Sequence, residues 1–501
     1  MDLLANLALG FSTATSIEHL VYCFVGALLG TLIGILPGVG PTATIAMLLP
    51  ITFTLSPTAS LIMLAGIYYG AQYGGSTTAI LINLPGEASS VVTAIDGYQM
   101  ARRGRAGPAL AVAAVGSFIA GTFATLLIAA FAPALALVAI EFGPAEYFSL
   151  IVVGLVCSIA LAHGSVLRAL AMVVLGLLLS VIGTDVYSGL PRLNFGMIEL
   201  FDGINVIAVA VGIFGVAEIL RNLAGNVKRS GEINKIGRLM PTRDDIKRST
   251  NPVLRGTAIG SILGILPGGG AMLSSFTSYA LEKRLSKTPE RFGHGAIEAV
   301  AGPESANNAG AQTSFIPMLT LGIPSNPVMA LMLGAMLIQG IAPGPSVINE
   351  RPELFWGLIA SMWIGNLMLL VLNLPLVGLW VRLLKVPYEA LFPAIIIFSA
   401  IGTYSINGNA FDLYQISMFG ILGYVLYRLK CEPAPLLLGF VLGPLLEENL
   451  RRAMMMSRGS PVTFFDRPIS LGLLLAAVAL LAVSVLPMMV RRRKKIFVED
   501  D

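Results

Sequence analysis

Two glycine- and proline-rich breaks interrupt strongly apolar sequence and carry groups suited to binding an ion. The first break begins at Gly34 in "GILPGVGPTATIAMLLP", and its opening pentapeptide returns at Gly264 in "GILPGGGAMLSSFTSYA". Non-helical backbone in apolar surroundings leaves carbonyl groups that hydrocarbon cannot pair, and such carbonyls suit a small cation, for example Na⁺. The residues predicted to form this helix-break and ion-binding site are Gly38, Gly40, Pro41, Thr42, Thr44, Gly268, Gly269, Gly270, Ser274 and Ser275.

A second pair of breaks, at 74–89 and 307–326, gathers hydroxyl and amide side chains. Neither segment contains Lys or Arg. A bound anion would therefore rest on helix N-termini, each equivalent to roughly half a positive charge, and on hydroxyl and amide donors. We predict a substrate site between these segments, near the middle of the bilayer. Its predicted residues are Ser76, Thr77, Thr78, Asn83, Pro85, Gly86, Asn307, Asn308, Thr313, Ser314, Pro324, Ser325 and Asn326.

Familiar catalytic motifs are absent from the sequence. It contains no G-x-x-x-x-G-K-[ST] phosphate loop, no HExxH motif and no Cys/His cluster with zinc-ligand spacing. The chain is therefore predicted not to be an enzyme, and no cofactor is expected. The net charge of +4 comes from a few basic loops and predicts no nucleic-acid partner.

The composition indicates that the elements carrying these residues lie in a membrane. Hydrophobic residues make up 55% of the chain and charged residues 12%, the latter about half the share typical of a soluble domain. Many apolar runs approach the ~20 residues that cross a bilayer as a helix, and the alternating segments of a membrane β-barrel are missing. We predict an all-α polytopic membrane protein with about 10–12 transmembrane segments and broken or re-entrant helices at the midplane.

The chain contains two copies of one design. An offset of 230 residues aligns "VGALLGTLIGILPGVG" from Val25 with "RGTAIGSILGILPGGG" from Arg255, and eight of the sixteen positions are identical. The second pair of breaks follows in the same order, at an offset of 239 or 240 residues. We predict a first membrane repeat at 1–220, a basic cytoplasmic linker at 221–251, a second membrane repeat at 252–456, and a terminal helix with a basic tail at 457–501.

The basic residues indicate that the two copies have opposite orientations. Residues 52–61 contain no Lys or Arg, whereas the corresponding 282–291 contain four. Conversely, 101–107 contain three arginines, and the counterpart 340–351 contains one. Because Lys and Arg collect in cytoplasmic loops, equivalent loops should lie on opposite sides, which predicts inverted-topology repeats. The first 101 residues lack Lys and Arg, so the N-terminus is predicted on the outer face.

Two further interpretations concern single residues. Gly26, Gly30 and Gly34 have the small-xxx-small spacing of close helix contacts, and their partners 230 residues later repeat it. We expect these glycines to pack helices together. Glu87 and Asp96 are interpreted as acidic residues at a water-facing rim.

Long motifs in both halves resemble the large membrane subunit of the tripartite tricarboxylate transporters, the TctA family. The first half contributes "GILPGVGPTATIAMLLPITF" and "YYGAQYGGSTTAILINLPGEASSVVTAIDGYQMARRGRAGPAL". The second half contributes "GILPGGGAMLSSFTSYALEKRL" and "GPESANNAGAQTSFIPMLTLGIPSNPVMALMLGAM". The resemblance extends over nearly the whole chain, from Val21 to about Arg452.

The resemblance implies a multi-pass permease in the inner (cytoplasmic) membrane of a bacterium. It implies two partners, a small membrane subunit (TctB-like) and a periplasmic substrate-binding protein (TctC-like). It also implies secondary active import of carboxylates, di- or tricarboxylates such as citrate, driven by a Na⁺ or H⁺ gradient. The residues alone leave another class open, an anion channel or an intramembrane enzyme that uses the same polar midplane.

Overall fold

The computed structural model describes residues 3–36, 40–162, 165–224, 236–266, 270–383 and 388–485. Over these residues the protein is helical, apart from short connections and one antiparallel pair of two-residue strands, Gly183–Thr184 with Pro191–Arg192. The predicted all-α class is therefore confirmed. The basic tail after 485 and part of the predicted linker, 225–235, lie outside the described residues.

Ten of the described helices lie before residues 225–235. They are α1 (Leu3–Ala14), α2 (Ile17–Gly34), α3 (Pro41–Thr52), α4 (Pro57–Ile82), α5 (Val91–Arg102), α6 (Ala106–Ile140), α7 (Pro144–Leu161), α8 (Val166–Ser180), α9 (Val206–Ala210) and α10 (Ala217–Ala224). A π-helical stretch, Val211–Val216, joins α9 to α10, and a 3₁₀ turn, Ala88–Ser90, leads into α5.

Thirteen of the described helices lie after residues 225–235, and the first of them begins within the predicted linker. They are α11 (Arg243–Leu263), α12 (Gly270–Leu285), α13 (Glu298–Thr313), α14 (Phe315–Leu321), α15 (Pro327–Ile338), α16 (Ser346–Glu350), α17 (Pro352–Asn373), α18 (Val377–Leu383), α19 (Tyr388–Asn407), α20 (Phe411–Arg428), α21 (Ala434–Met456), α22 (Thr463–Asp466) and α23 (Pro468–Val485).

Four helical stretches in the described part of the chain are long and apolar enough to cross a membrane. They are α2, α6, the continuous run Val206–Ala224 and α17. Six shorter apolar helices accompany them, including α3 and α15. This composition is that of a membrane protein, whereas the predicted number of 10–12 segments and their depth in the bilayer stay predictions.

The internal repeat is present in the packing of the helices. In the first half α2 lies against α4, and a Cβ added at Gly30 would stand 2.3 Å from the carbonyl oxygen of Ile67. In the second half α11 lies against α13, and a Cβ added at Gly260 would stand 2.3 Å from the carbonyl oxygen of Ala306. The offsets of 230 and 239 residues found in the sequence relate these two contacts. The same close approach recurs at Gly26, Gly34, Gly256 and Gly264.

The second pair of breaks is also built alike in the two halves. Helix α4 ends at Asn83 with φ 57°, and α14 ends at Gly322 with φ 70°, both left-handed. The N-cap of the next helical segment is Glu87 in the first half and Asn326 in the second. Both pairs of residues are 239 apart. Duplication thus extends to local geometry, while the inverted orientation of the copies in a membrane stays a prediction.

Ion pairs connect loops and helix ends that are far apart in the sequence. Asp185, in the loop between α8 and α9, accepts hydrogen bonds from the Arg451 guanidinium at 3.1 and 2.8 Å. These bonds, with one from the backbone N–H of Ser188, hold the pKa of Asp185 well below its usual value. Arg467 donates to Glu146 Oε2 at 2.6 Å and so ties the start of α23 to the start of α7.

Candidate functional site

A cavity of about 330 Å³ lies where four helical segments begin. Its wall contains Gly40–Thr42 at the start of α3, Ala88 and Ser89 of the 3₁₀ turn, 270–272 at the start of α12, and 326–328 at the start of α15. This volume falls within the range of small-molecule pockets. The remaining wall includes Tyr68 and Gln72 of α4, Glu87, Ser158 and Ala162 of α7, Phe214, and Glu432 with Pro433 to Pro435 and Leu438 at the start of α21.

The backbone gives this cavity a positive character. The first amide N–H groups of an α-helix have no partner within the helix, and the aligned peptide dipoles add roughly half a positive charge at that end. Helices α3, α12 and α15 contain 12, 16 and 12 residues, and all three begin at the cavity wall. Among the residues that the structure describes, no Lys or Arg lines it. The arrangement suits an anion held by amide groups.

Asn326 offers a side-chain donor at the same place. Its Oδ1 accepts a hydrogen bond from the backbone N–H of Met329 at 3.0 Å, which caps α15. Its Nδ2 is buried and has no hydrogen-bond partner. A buried, unpaired amide donor is costly unless a ligand satisfies it. Gly270 lies beside this group with φ +41°, and a Cβ there would stand 3.3 Å from Asn326 Nδ2. The backbone of α12 therefore approaches Asn326 closely.

Acidic residues are also placed at or near the cavity. Glu87 is half-buried on its wall and accepts a hydrogen bond at 3.0 Å from Nδ2 of Asn307. The predicted rim position is wrong for Asp96, whose exposed fraction is 0%. Its carboxylate accepts hydrogen bonds from the backbone N–H groups of Gly293, Gly295 and Ala296 at 2.8–2.9 Å. Asp96 therefore fastens α5 to the segment that leads into α13, because buried charge requires such partners.

The cavity brings together some of the residues predicted to bind ion or substrate. Gly40, Pro41, Thr42, Gly270 and Asn326 line it. Other predicted residues lie behind its wall or in helix contacts, and their hydroxyl groups donate hydrogen bonds to backbone carbonyl oxygens. The pairs are Thr44 to Gly40, Thr78 to Gly75, Ser274 to Gly270, Ser275 to Pro303, Thr313 to Ala309, Ser314 to Ala311 and Ser325 to Ser314.

The other predicted residues have different surroundings. Asn83 is exposed, Gly86 and Pro324 are buried, and Pro85 is half-buried. Ser76 and Thr77 line a separate small void, and Asn308 donates to Ser117 Oγ at 2.6 Å. Gly38, Gly268 and Gly269 lie outside the described residues.

Sequence reasoning missed several residues of the site. Tyr68 and Gln72 face the cavity four positions apart on α4, one helical turn before the predicted break. Their signal was a Tyr and a Gln in an apolar helix, which marks a polar face inside a membrane bundle. Phe214 and Pro433 come from distant parts of the chain, and no local pattern pointed to them.

Comparison with known proteins decides the family. The sequence profile described as the tripartite tricarboxylate transporter TctA family matches residues 20–438. The chain belongs to the TctA family. An Agrobacterium vitis protein described as an uncharacterized 52.8 kDa protein in the TAR-I ttuC' 3' region is 65% identical over 501 residues, which cover 100% of both chains.

A second protein of Agrobacterium vitis, described as an uncharacterized protein in the TAR-II ttuC' 3' region, is also 65% identical. That match runs over 242 residues, 48% of this chain and 100% of the relative. No solved structure matches. The TctA family is a family of transporters and not of enzymes, and its tripartite systems have further subunits.

The cavity of this TctA-family chain is lined by both hydrogen-bond donors and acceptors. Within the described residues there is no group of three or more His, Cys, Asp or Glu side chains arranged to hold a metal ion. The polar side chains in its wall belong to Thr42, Tyr68, Gln72, Glu87, Ser89, Ser158, Asn326 and Glu432.

Proposed function

We propose that this protein is the permease subunit of a binding-protein-dependent secondary active transporter in the inner membrane of a bacterium. It imports carboxylates, di- or tricarboxylates such as citrate, and works with a small membrane subunit and a periplasmic substrate-binding protein. A Na⁺ or H⁺ gradient drives uptake. Family membership supports the transporter class and the partners.

The convergence of three α-helix starts on one cavity carries the proposal for an anionic substrate. Pro41 and Pro327 at the first positions of α3 and α15 have no N–H, so the backbone donors of these two helix starts begin at Thr42 and Val328, and Asn326 Nδ2 is a buried donor without a partner. A carboxylate accepts several such hydrogen bonds and gains from the dipoles of all three helices. Because none of the described residues that line the cavity is Lys or Arg, release needs no separation of a strong ion pair.

The location of the cavity supports alternating access. Its wall combines helices of both repeats, with α3 and α4 from the first and α12, α15 and α21 from the second. Transporters built from repeats bind their substrate at the interface between the repeats. Movement of one repeat against the other would then expose the same residues to each side of the membrane in turn.

Uptake into proteoliposomes tests the proposal. We expect concentrative uptake of one member of a panel of labelled di- and tricarboxylates when this chain, its small membrane subunit and its binding protein are all present and an ion gradient is applied. We expect no concentrative uptake when the binding protein is omitted. A conductance without exchange-accelerated flux would indicate a channel, and chemical conversion of the carboxylate would indicate an enzyme; either result contradicts the proposal.

A further inference from the structure

A buried carboxyl group with no basic partner lies one helix away from the cavity. Glu304, on α13, is only 1% exposed. Its Oε2 is 2.6 Å from Ser76 Oγ on α4, and its Oε1 accepts a hydrogen bond from Thr93 Oγ1 on α5. An ionised carboxylate in such surroundings is costly unless a cation neutralises it. The charge of Glu304 therefore requires a partner that the surrounding side chains do not supply.

The charged and titratable groups on the helices around Glu304 are engaged elsewhere. Arg255 of α11 pairs with Glu282 of α12, and Tyr73 of α4 donates to Asn366. Three acidic residues near α13 also have partners. Glu87 accepts a hydrogen bond from Asn307, Asp96 accepts hydrogen bonds from backbone amides, and Glu298 forms ion pairs with Arg248 and Arg291. In the part of the chain that the structure describes, no Lys or Arg forms an ion pair with Glu304.

The hydrogen bonds around Ser76 and Glu304 indicate which group carries a proton. Ser76 Oγ is within hydrogen-bonding distance of two acceptors, the carbonyl oxygen of Gln72 at 3.1 Å and Glu304 Oε2 at 2.6 Å. A serine hydroxyl has a single hydrogen. Both contacts are hydrogen bonds at once only if Glu304 is protonated and donates to Ser76, which then donates to Gln72. Thr93 donates a hydrogen bond to the other carboxyl oxygen of Glu304, so each hydroxyl and carboxyl group in this series of hydrogen bonds has a partner.

A small void beside Glu304 is also lined by Asn373, whose side-chain oxygen is an unpaired acceptor. The void, of about 10 Å³, is lined by Ser76, Thr77 and Ser117 and by Glu304 and Asn373. Asn373 is 4% exposed and its Oδ1 has no hydrogen-bond partner. This space is close to the minimum that holds one water molecule. A water there would lie beside both Glu304 and Asn373.

We propose that Glu304 is a proton-binding site of this transporter and that H⁺ is the coupling ion. The inference rests on the proposed function and specifies its energy source. A bound Na⁺ fits the geometry less well, because the two carboxylate oxygens already contact hydroxyl oxygens at hydrogen-bonding distance. Oxygen ligands around one metal ion stand farther apart than two hydrogen-bonded oxygens.

The contacts also connect this proton to the substrate cavity. Ser76 donates to the backbone of Gln72 when Glu304 is protonated, and the side chain of Gln72 lines the cavity. When Glu304 loses its proton, the hydroxyl of Ser76 turns from Gln72 to Glu304. One turn further along α13, Asn307 donates to Glu87 on the cavity wall. Protonation of Glu304 thus decides whether Ser76 donates to the backbone carbonyl of Gln72, a residue that lines the substrate cavity.

Infrared difference spectroscopy tests the protonation directly and needs no substrate. In proteoliposomes containing this chain with its small membrane subunit at neutral pH, we expect the C=O stretch of a protonated carboxyl group that Glu304→Gln removes. The matched control is Glu282→Gln, which should leave the band unchanged because Glu282 forms an ion pair with Arg255. Identical spectra for wild type and Glu304→Gln would overturn the proposal. Should Glu304→Gln not fold, Thr93→Val should shift the band to higher frequency, and an unshifted band would overturn it equally.

Transport measurements test the coupling. With the complete transporter at constant Na⁺, an inward proton gradient should accelerate carboxylate uptake by wild type, whereas Glu304→Gln should catalyse exchange but show no acceleration. Undiminished acceleration in Glu304→Gln would refute the role of this group. A Na⁺ dependence that disappears in Glu304→Gln would show that the site binds Na⁺ and would refute it too. If no carboxylate is transported at all, the proposed function fails, while the infrared result still decides whether Glu304 carries a proton.

Discussion

Replacing Asn326 by Asp separates the two tasks of this side chain. Asn326 lines the cavity. Its Oδ1 caps α15 through the Met329 N–H, while its Nδ2 is buried without a hydrogen-bond partner. Aspartate keeps the capping acceptor and suits the positive end of a helix, but it removes the donor. Losing one hydrogen bond to a charged ligand costs about 1.5–3 kcal/mol, which is roughly a ten- to hundredfold loss of affinity. The added negative charge weakens binding further.

We expect Asn326→Asp to raise the half-saturating carboxylate concentration at least about tenfold while leaving thermal stability unchanged. Asn326→Ala removes donor and cap together, so it should lose similar affinity and also about 1 kcal/mol of stability. Both quantities are measured in the reconstituted transporter, by carboxylate exchange and by thermal unfolding. Asn83→Gly is the control, because Asn83 is exposed, has φ 57° and lies outside the cavity wall. Wild-type affinity in Asn326→Asp would refute the assignment of this cavity.

Three further outcomes are expected. Gly260→Ala places a Cβ 2.3 Å from a carbonyl oxygen of α13 and should lower the free energy of unfolding by about 1–3 kcal/mol. The control Gly472→Ala, whose Cβ has nothing within 4 Å, should not lower it. Equal stability of the two variants contradicts the packing argument. Asp185→Asn should lower stability at neutral pH, and the difference should vanish in acid, because the lowered pKa of Asp185 makes its contribution complete above about pH 4 and lost as the pH falls; a difference independent of pH would refute the ion pair. Cysteines placed at Ser56 and Ser286 should react with impermeant reagent from opposite sides of the membrane, and labelling from the same side would disprove the inverted repeat.

Local spacing was enough to predict the duplicated helix contacts. Glycines four residues apart lie on one face of a helix wherever that helix is placed, and α2 and α11 bring Gly30 and Gly260 against neighbouring backbone as the sequence predicts. The helix breaks could also be predicted from the sequence, because Gly and Pro end helices through their own backbone chemistry. The membrane class followed from composition, and the TctA family from long motifs.

Only the tertiary structure decided which of the polar residues meet. The starts of α3, α12 and α15 line one cavity because distant helices pack together, and no pattern within a segment contains that information. The same holds for Glu304, whose partners Ser76 and Thr93 are 228 and 211 residues away in the chain. In the sequence it is one acid beside Gly and Pro, like Glu87 or Asp96. Burial and the identity of its neighbours, both set by long-range packing, are what make a carboxyl group a candidate proton site.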